Sequence, residues 1–209
     1  MDFLESMRLL EKYGLRFAPA RLASSREEAV AAAEEIGFPV VLKVVSPEII
    51  HKTERGCVLV NLQDVGHVAS GYDIVVRNAG NARMEGVLVQ KMVAEGVELI
   101  VGGKADPQFG PLILFGIGGI FVEILRDVSV RVCPITPEDA EEMIREIKGF
   151  PILSGARGRK PVDLRALADL LVRTSRLLYE NQNIKELDFN PVIAHPEGYE
   201  IVDVRMVTQ

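Results

Sequence analysis

The stretch Glu186-Leu-Asp-Phe-Asn-Pro-Val-Ile-Ala194, continued by Gly198-Tyr-Glu-Ile-Val-Asp203, restricts the fold more than any other part of the chain. Apolar Val192, Ile193, Ile201, Val202 and Val204 surround a turn-forming His195-Pro-Glu-Gly198. This pattern predicts two short strands joined by a turn. Asp188, Asn190 and Asp203 interrupt the apolar positions. They bring hard oxygen donors to adjacent strands. Such a set suits Mg²⁺, which takes a few carboxylates or amides and completes its shell with phosphate oxygens and water. An edge hairpin turning its polar residues to solvent has the same pattern, and both readings stand at this point.

At 209 residues the chain predicts one large domain or two tightly joined lobes, and 48% apolar residues suffice for a real core. A net charge of −6 without a basic stripe argues against nucleic acid as the main partner. No apolar run approaches a membrane span, and Met1-Asp-Phe-Leu-Glu5 lacks the basic-then-apolar order of a signal peptide. A cytoplasmic protein that binds no membrane is expected. Cys57 and Cys133 lack metal-ligand spacing and sit in apolar, strand-like runs, which predicts buried free thiols in a reducing compartment.

Phe3, Met7 and Leu10 repeat at helical spacing until Gly14. Ser25-Arg-Glu-Glu28 is a capping box for a helix that stops at Gly37. Strands are predicted at Val40–Val45, Cys57–Leu62 and Val87–Val93, with a helix through Val65, Val68, Tyr72 and Val75. Further strands are predicted at Val97–Gly102, Pro111–Phe115, Phe121–Glu123 and Val128–Ile135. Thr136-Pro-Glu-Asp139 opens another helix, and Asp163 caps a long amphipathic one. This order predicts an α+β fold of two lobes, residues 1–93 with the leading helix and residues 94–209. A small-molecule site is expected in the cleft between them.

Lys43 lies inside Val40-Val-Leu-Lys-Val-Val45, a strand with apolar residues on both faces. A buried ammonium is costly without a partner, so Lys43 either snorkels from a strand end or places its charge on phosphates. His51-Lys-Thr-Glu-Arg-Gly56 sets an imidazole beside a carboxylate. A neutral imidazole is a competent phosphoryl acceptor whose tautomer a carboxylate can fix, although a histidine in a polar loop is also an ordinary surface feature. Phe115-Gly-Ile-Gly-Gly-Ile-Phe-Val-Glu123 lacks the third glycine of a dinucleotide fingerprint. It reads as a tight turn or as backbone N–H groups near phosphate. Val101-Gly-Gly-Lys104 fails the P-loop pattern. Arg157-Gly-Arg-Lys160 is a basic run that is either solvated or holds an anion or a partner.

Taken in order, Lys43, the His51 loop, the crossing from Gln90 to Glu98, the Gly116 loop, and Asn190 with Asp203 resemble the ATP-grasp (beta) subunit of ADP-forming acyl-CoA synthetases of the acetyl-CoA synthetase type. That family is related to succinyl-CoA synthetase. The resemblance implies the ATP-grasp fold, two α/β lobes with the nucleotide in the cleft between them. It implies Lys43 on the nucleotide phosphates, backbone groups around Gln90 and Met92 at the adenine edge, and Glu98 on the ribose. It also implies His51 as a phosphoryl relay, Glu123 directed at the nucleotide site, and Mg²⁺ on Asn190, Asp203 and Asp188. The family usually has two glycines after the histidine loop, and Cys57 replaces the second here. The implied reaction is acyl-CoA + ADP + phosphate ⇌ acid + CoA + ATP. It needs a CoA-binding alpha subunit that carries a phosphohistidine, in an α2β2 heterotetramer. Two rivals are a self-sufficient ATP-grasp carboxylate ligase, which leaves His51 unexplained, and a nucleotide-sensing subunit without turnover.

Overall fold

Side-chain caps set the helix starts. In the computed structural model, which describes residues 1–49, 52–119, 127–158 and 160–209, Asp2 and Glu5 each accept the other's backbone N–H and open α1 (Phe3–Lys12). Ser25 caps α2 (Arg26–Ile36), and Asp64 caps α3 (Val65–Ala79). Thr136 and Asp139 form the capping box of α4 (Pro137–Glu146). A single turn, α5 (Phe150–Leu153), follows. Asp163 then accepts from the Arg165 and Ala166 N–H groups at 3.0 Å to start α6 (Leu164–Glu180).

The chain forms two compact units, Ala18–Val93, and Met1–Phe17 together with Ala94–Gln209. The smaller unit is an antiparallel sheet of β1 (Ala20–Ala23), β2 (Val40–Val45), β3 (Val58–Leu62) and β4 (Gly86–Lys91), in the order β1-β4-β2-β3. Val40, Leu42, Val44, Val87 and Val89 form its core with Ala29, Ala33, Val68 and Val75 of α2 and α3. The period of two turns Val41, Lys43, Leu88 and Gln90 to the opposite face.

The larger unit holds β5 (Val97–Asp106), β6 (Gly110–Ile117), β7 (Val128–Val132), β8 (Ile184–His195), β9 (Gly198–Ile201) and β10 (Val204–Thr208). Their order is β10-β8-β5-β6-β7, with β9 beside β8. Leu99, Val101, Ile113, Phe115, Leu187 and Phe189 share a core with Met143, Leu167, Leu170 and Leu171 of α4 and α6. The helices therefore cover one face of this sheet.

Several expectations need correction. The leading helix does not belong with residues 18–93. Leu10, Tyr13 and Leu15 are buried in the core of the larger unit. Arg173 donates to the Tyr13 carbonyl at 3.3 Å, and the Tyr13 hydroxyl donates to Glu180 at 2.7 Å. The terminal hairpin has a third strand, β10, that pairs with the first half of β8. The strand expected at Val128–Ile135 stops at Val132. The one expected at Phe121–Glu123 lies outside the described residues. Cys57 and Cys133 are buried free thiols, and burial pushes Cys133 up to about 12. Among the described residues, no helix is long and apolar enough to cross a membrane.

Candidate active site

Alternation along β8 decides which side chains meet a ligand. Leu187 and Phe189 point into the core, so Asp188 and Asn190 turn to the face that α4 and α6 leave uncovered. β10 runs antiparallel beside them, with Arg205 opposite Asp188 and the buried Met206 opposite Leu187. Asp203 immediately precedes β10. The Asn190 N–H donates to the Asp203 carbonyl at 3.3 Å, and the Val202 N–H donates to the Pro191 carbonyl at 3.0 Å. On the other flank of β8, Leu99 and Val101 are fully buried, so Glu98 lies on the uncovered face, opposite Ile193. Glu98, Asp188 and Asn190 thus share one open sheet face, with Asp203 against Asn190.

Burial, and then the Asp203 carboxylate, push the Asp188 carboxyl above the ordinary value of 3.8. Glu186 adds to the rise, and the Arg205 charge opposes it. A half-buried carboxyl with a second carboxylate beside it is a natural seat for a divalent cation. Among the described residues, no group of three or more His, Cys, Asp or Glu side chains could hold a metal. A cation here would take Asp188, Asp203 and the Asn190 amide oxygen, and complete its shell from a ligand and water. That is the donor set Mg²⁺ accepts.

In the smaller unit, Lys43 is in mid-strand and 8% exposed, and Gln90 is fully buried. For Lys43 this is an interior position of β2 rather than a strand end. Lys43 pairs with Leu88 while Val41 pairs with Gln90, so Lys43 and Gln90 are diagonal neighbours on the face opposite α2 and α3. The Met92 N–H already donates to the Pro39 carbonyl at 3.1 Å. An adenine edge at this crossing would have to use another backbone group or displace Pro39.

His51 and Glu123 lie outside the described residues. The turn after His51 is closed by the Cys57 N–H, which donates to the Lys52 carbonyl at 2.8 Å. Gly56 takes the left-handed φ of 65° and Cys57 does not, so the cysteine replaces a family glycine without backbone strain and its side chain is buried in the core. Before Glu123, the Gly118 N–H donates to the Glu98 carbonyl at 2.7 Å, and a Cβ on Gly118 would sit 3.1 Å from the Glu98 carbonyl carbon. Gly118 therefore serves close backbone packing beside Glu98.

Two polar residues escaped the sequence reading. Arg205 follows the metal candidate Asp203 by two positions, and only the alternation of an unpredicted strand assigns it to this face. Asp127 is buried and accepts the Lys148 and Gly149 N–H groups, both at 2.7 Å. Its signal is the charged pair Arg126-Asp127 inside a largely apolar run. A 270 Å³ depression lined by Glu141, Ile144, Arg145, Phe150, Leu164 and Arg165 contains none of the predicted residues. Of the basic run Arg157–Lys160, Arg159 lies outside the described residues.

The ATP-grasp domain model matches residues 1–208. The beta subunit of ADP-forming acetate–CoA ligase I from Pyrococcus furiosus is 48% identical over 97% of this chain and 89% of its own length. The ADP-forming acetate–CoA ligase I of Archaeoglobus fulgidus is 50% identical over 97% of this chain, which spans only 30% of that longer protein. Among solved structures, acetyl-coenzyme A synthetase 1 of Ca. Korarchaeum cryptofilum, bound to coenzyme A and Ca-AMPCP, superposes with a TM-score of 0.95 at 48% identity. That match covers 99% of this chain and 92% of the other. A second structure of that protein, with Mg-AMPPCP and its phosphohistidine segment pointing towards the nucleotide-binding site, gives a TM-score of 0.89 at 45% identity, over 100% of this chain and 92% of the other. The chain belongs to the ATP-grasp family, on the branch of the ADP-forming acetate–CoA ligases.

Proposed function

We propose that this chain is the nucleotide-binding half of an ADP-forming acyl-CoA ligase and moves a phosphoryl group between a phosphohistidine and ADP. The full reaction is acyl-CoA + ADP + phosphate ⇌ acid + CoA + ATP. The observation that carries this reading is the hard-oxygen set of Asp188, Asn190 and Asp203 beside an uncovered sheet face. The names of the relatives support the reaction class, and the nucleotide analogues bound by the Korarchaeum protein support the ligand.

Asn190 and Asp203, with Asp188, would hold Mg²⁺, which when bound offsets negative charge on the phosphate oxygens. By the family resemblance, Lys43 adds a fixed positive charge toward nucleotide phosphate. Glu98 accepts from the ribose hydroxyls, and the backbone around Gln90 and Met92 meets the base. By the same resemblance, His51 receives and passes on the phosphoryl group and Glu123 serves the nucleotide site. Phosphoryl transfer relies mainly on such positioning and charge compensation. A separate CoA-binding chain that carries the phosphohistidine completes the enzyme, as the beta-subunit names of two relatives support, in an α2β2 assembly.

The test is isotope transfer. The purified chain is incubated with its CoA-binding partner, Mg²⁺ and γ-labelled ATP, and each chain is assayed for acid-labile, base-stable label. Label on this chain that is lost in His51→Ala is the expected result. Label on the partner alone would keep the enzyme and reduce His51 to a helper. Bound nucleotide with no label on either chain would point to a sensor or a lone ligase.

A further inference from the structure

The four positions Asp188, Asn190, Asp203 and Arg205 form a quadrangle across β8 and the start of β10. Asn190 is joined to Asp203 by a backbone hydrogen bond, and Asp188 stands opposite Arg205 in the ladder. Three corners are oxygen donors and the fourth is a guanidinium. On this unit, Arg131, Arg173 and Arg176 are all committed to carboxylates at 2.7 to 2.8 Å, to Glu146, Asp169 and Glu180. Arg205 differs. Among the described residues its guanidinium forms no hydrogen bond and no ion pair, although its charge acts on Asp188 across the ladder. It is exposed, on a strand whose alternate residue Met206 is buried.

Charge balance gives this arrangement a use. One divalent cation cancels the two carboxylates and leaves the charge of a nucleoside diphosphate uncompensated on this face. A guanidinium presents planar paired donors that match phosphate oxygens. We propose that Arg205 is a phosphate-binding residue of the nucleotide site, taking non-bridging oxygens of the nucleoside diphosphate next to the cation held by its neighbours. This rests on the nucleotide reading above and adds to it a residue that the sequence motifs did not single out.

The test compares wild type with Arg205→Met and Arg205→Lys by calorimetry, using Mg·ADP and, separately, adenosine. Mn²⁺ binding without nucleotide is read by electron paramagnetic resonance. Loss of a charge-assisted phosphate contact is expected to weaken Mg·ADP by about tenfold or more in Arg205→Met, with a smaller loss in Arg205→Lys. Adenosine, which has no phosphate, keeps its affinity, and Mn²⁺ alone binds equally or more tightly because a neighbouring cation has gone. Unchanged Mg·ADP affinity in Arg205→Met overturns the assignment while leaving the nucleotide site intact. So does a parallel loss for adenosine, or weaker Mn²⁺ binding, either of which makes Arg205 a support for the fold or for Asp188. Failure of the wild-type chain to bind Mg·ADP overturns the nucleotide reading and this inference together.

Discussion

At the scale of single residues, Asp188 stands out because its surroundings work against its own charge. Burial, the neighbouring Asp203 and Glu186 favour the neutral acid, and the Arg205 charge opposes them. A side chain kept at such a cost is expected where a bound cation later relieves it. Asp188→Asn should therefore raise the melting temperature of the metal-free chain in EDTA, since it removes one of two repelling carboxylates. The same change should weaken Mg·ADP by about tenfold, the loss of one charged ligand. Thermal melts with and without Mg²⁺, paired with calorimetry, read both effects. A variant that melts lower in EDTA would remove the argument from repulsion. Lys43 is the corresponding charged residue of the smaller unit, 8% exposed at a mid-strand position.

At the scale of elements, much of the fold was legible because its signals are local. The Ser25 cap, whose expected box is not closed because Glu28 accepts from Ser24 instead, the capping box at Thr136, the Gly37 stop and the turn between β8 and β9 each depend on residues a few positions apart. β10 was not legible. Val204-Arg-Met-Val-Thr208 is a short run whose partner is the first half of β8, and that pairing exists only in three dimensions. The same gap hid Arg205, while Asp188, Asn190 and Asp203 could be read from the hairpin itself. The packing of β5 under α6 was equally silent in the sequence. Gly103 approaches Leu178 so closely that a Cβ would lie 2.5 Å from Cδ1 and 2.7 Å from Cδ2. Gly103→Ala should destabilise the larger unit by about 1–3 kcal/mol, the usual cost of overpacking a core. Urea denaturation followed by amide exchange in α6 measures it, and an unchanged midpoint would mean that Leu178 moves aside freely.

At the scale of the whole molecule, sequence order and structural membership part company. The first 17 residues belong to the larger unit, yet 76 residues of the smaller one, from Ala18 to Val93, separate them from the rest of it. Local periodicity identifies a helix but not the core that receives it, and for that reason the leading helix was assigned to the wrong lobe. Deleting residues 1–17 removes Leu10, Tyr13 and Leu15 from that core. At roughly 2 kcal/mol for each buried side chain, the larger unit should lose several kcal/mol. Hydrogen exchange should rise in α6 and β9 while β2 and β4 keep their protection. Faster exchange in β2 and β4 instead would count against the membership of α1. The connectivity also has a mechanical side. Both chain ends, Met1 and Gln209, lie in the same unit, and the smaller unit is an insertion between them. A pull applied to the two termini is resisted by the contacts of α1 at one end and of β10 at the other, both within the larger unit. The inserted unit carries no tension until that helix has been stripped away.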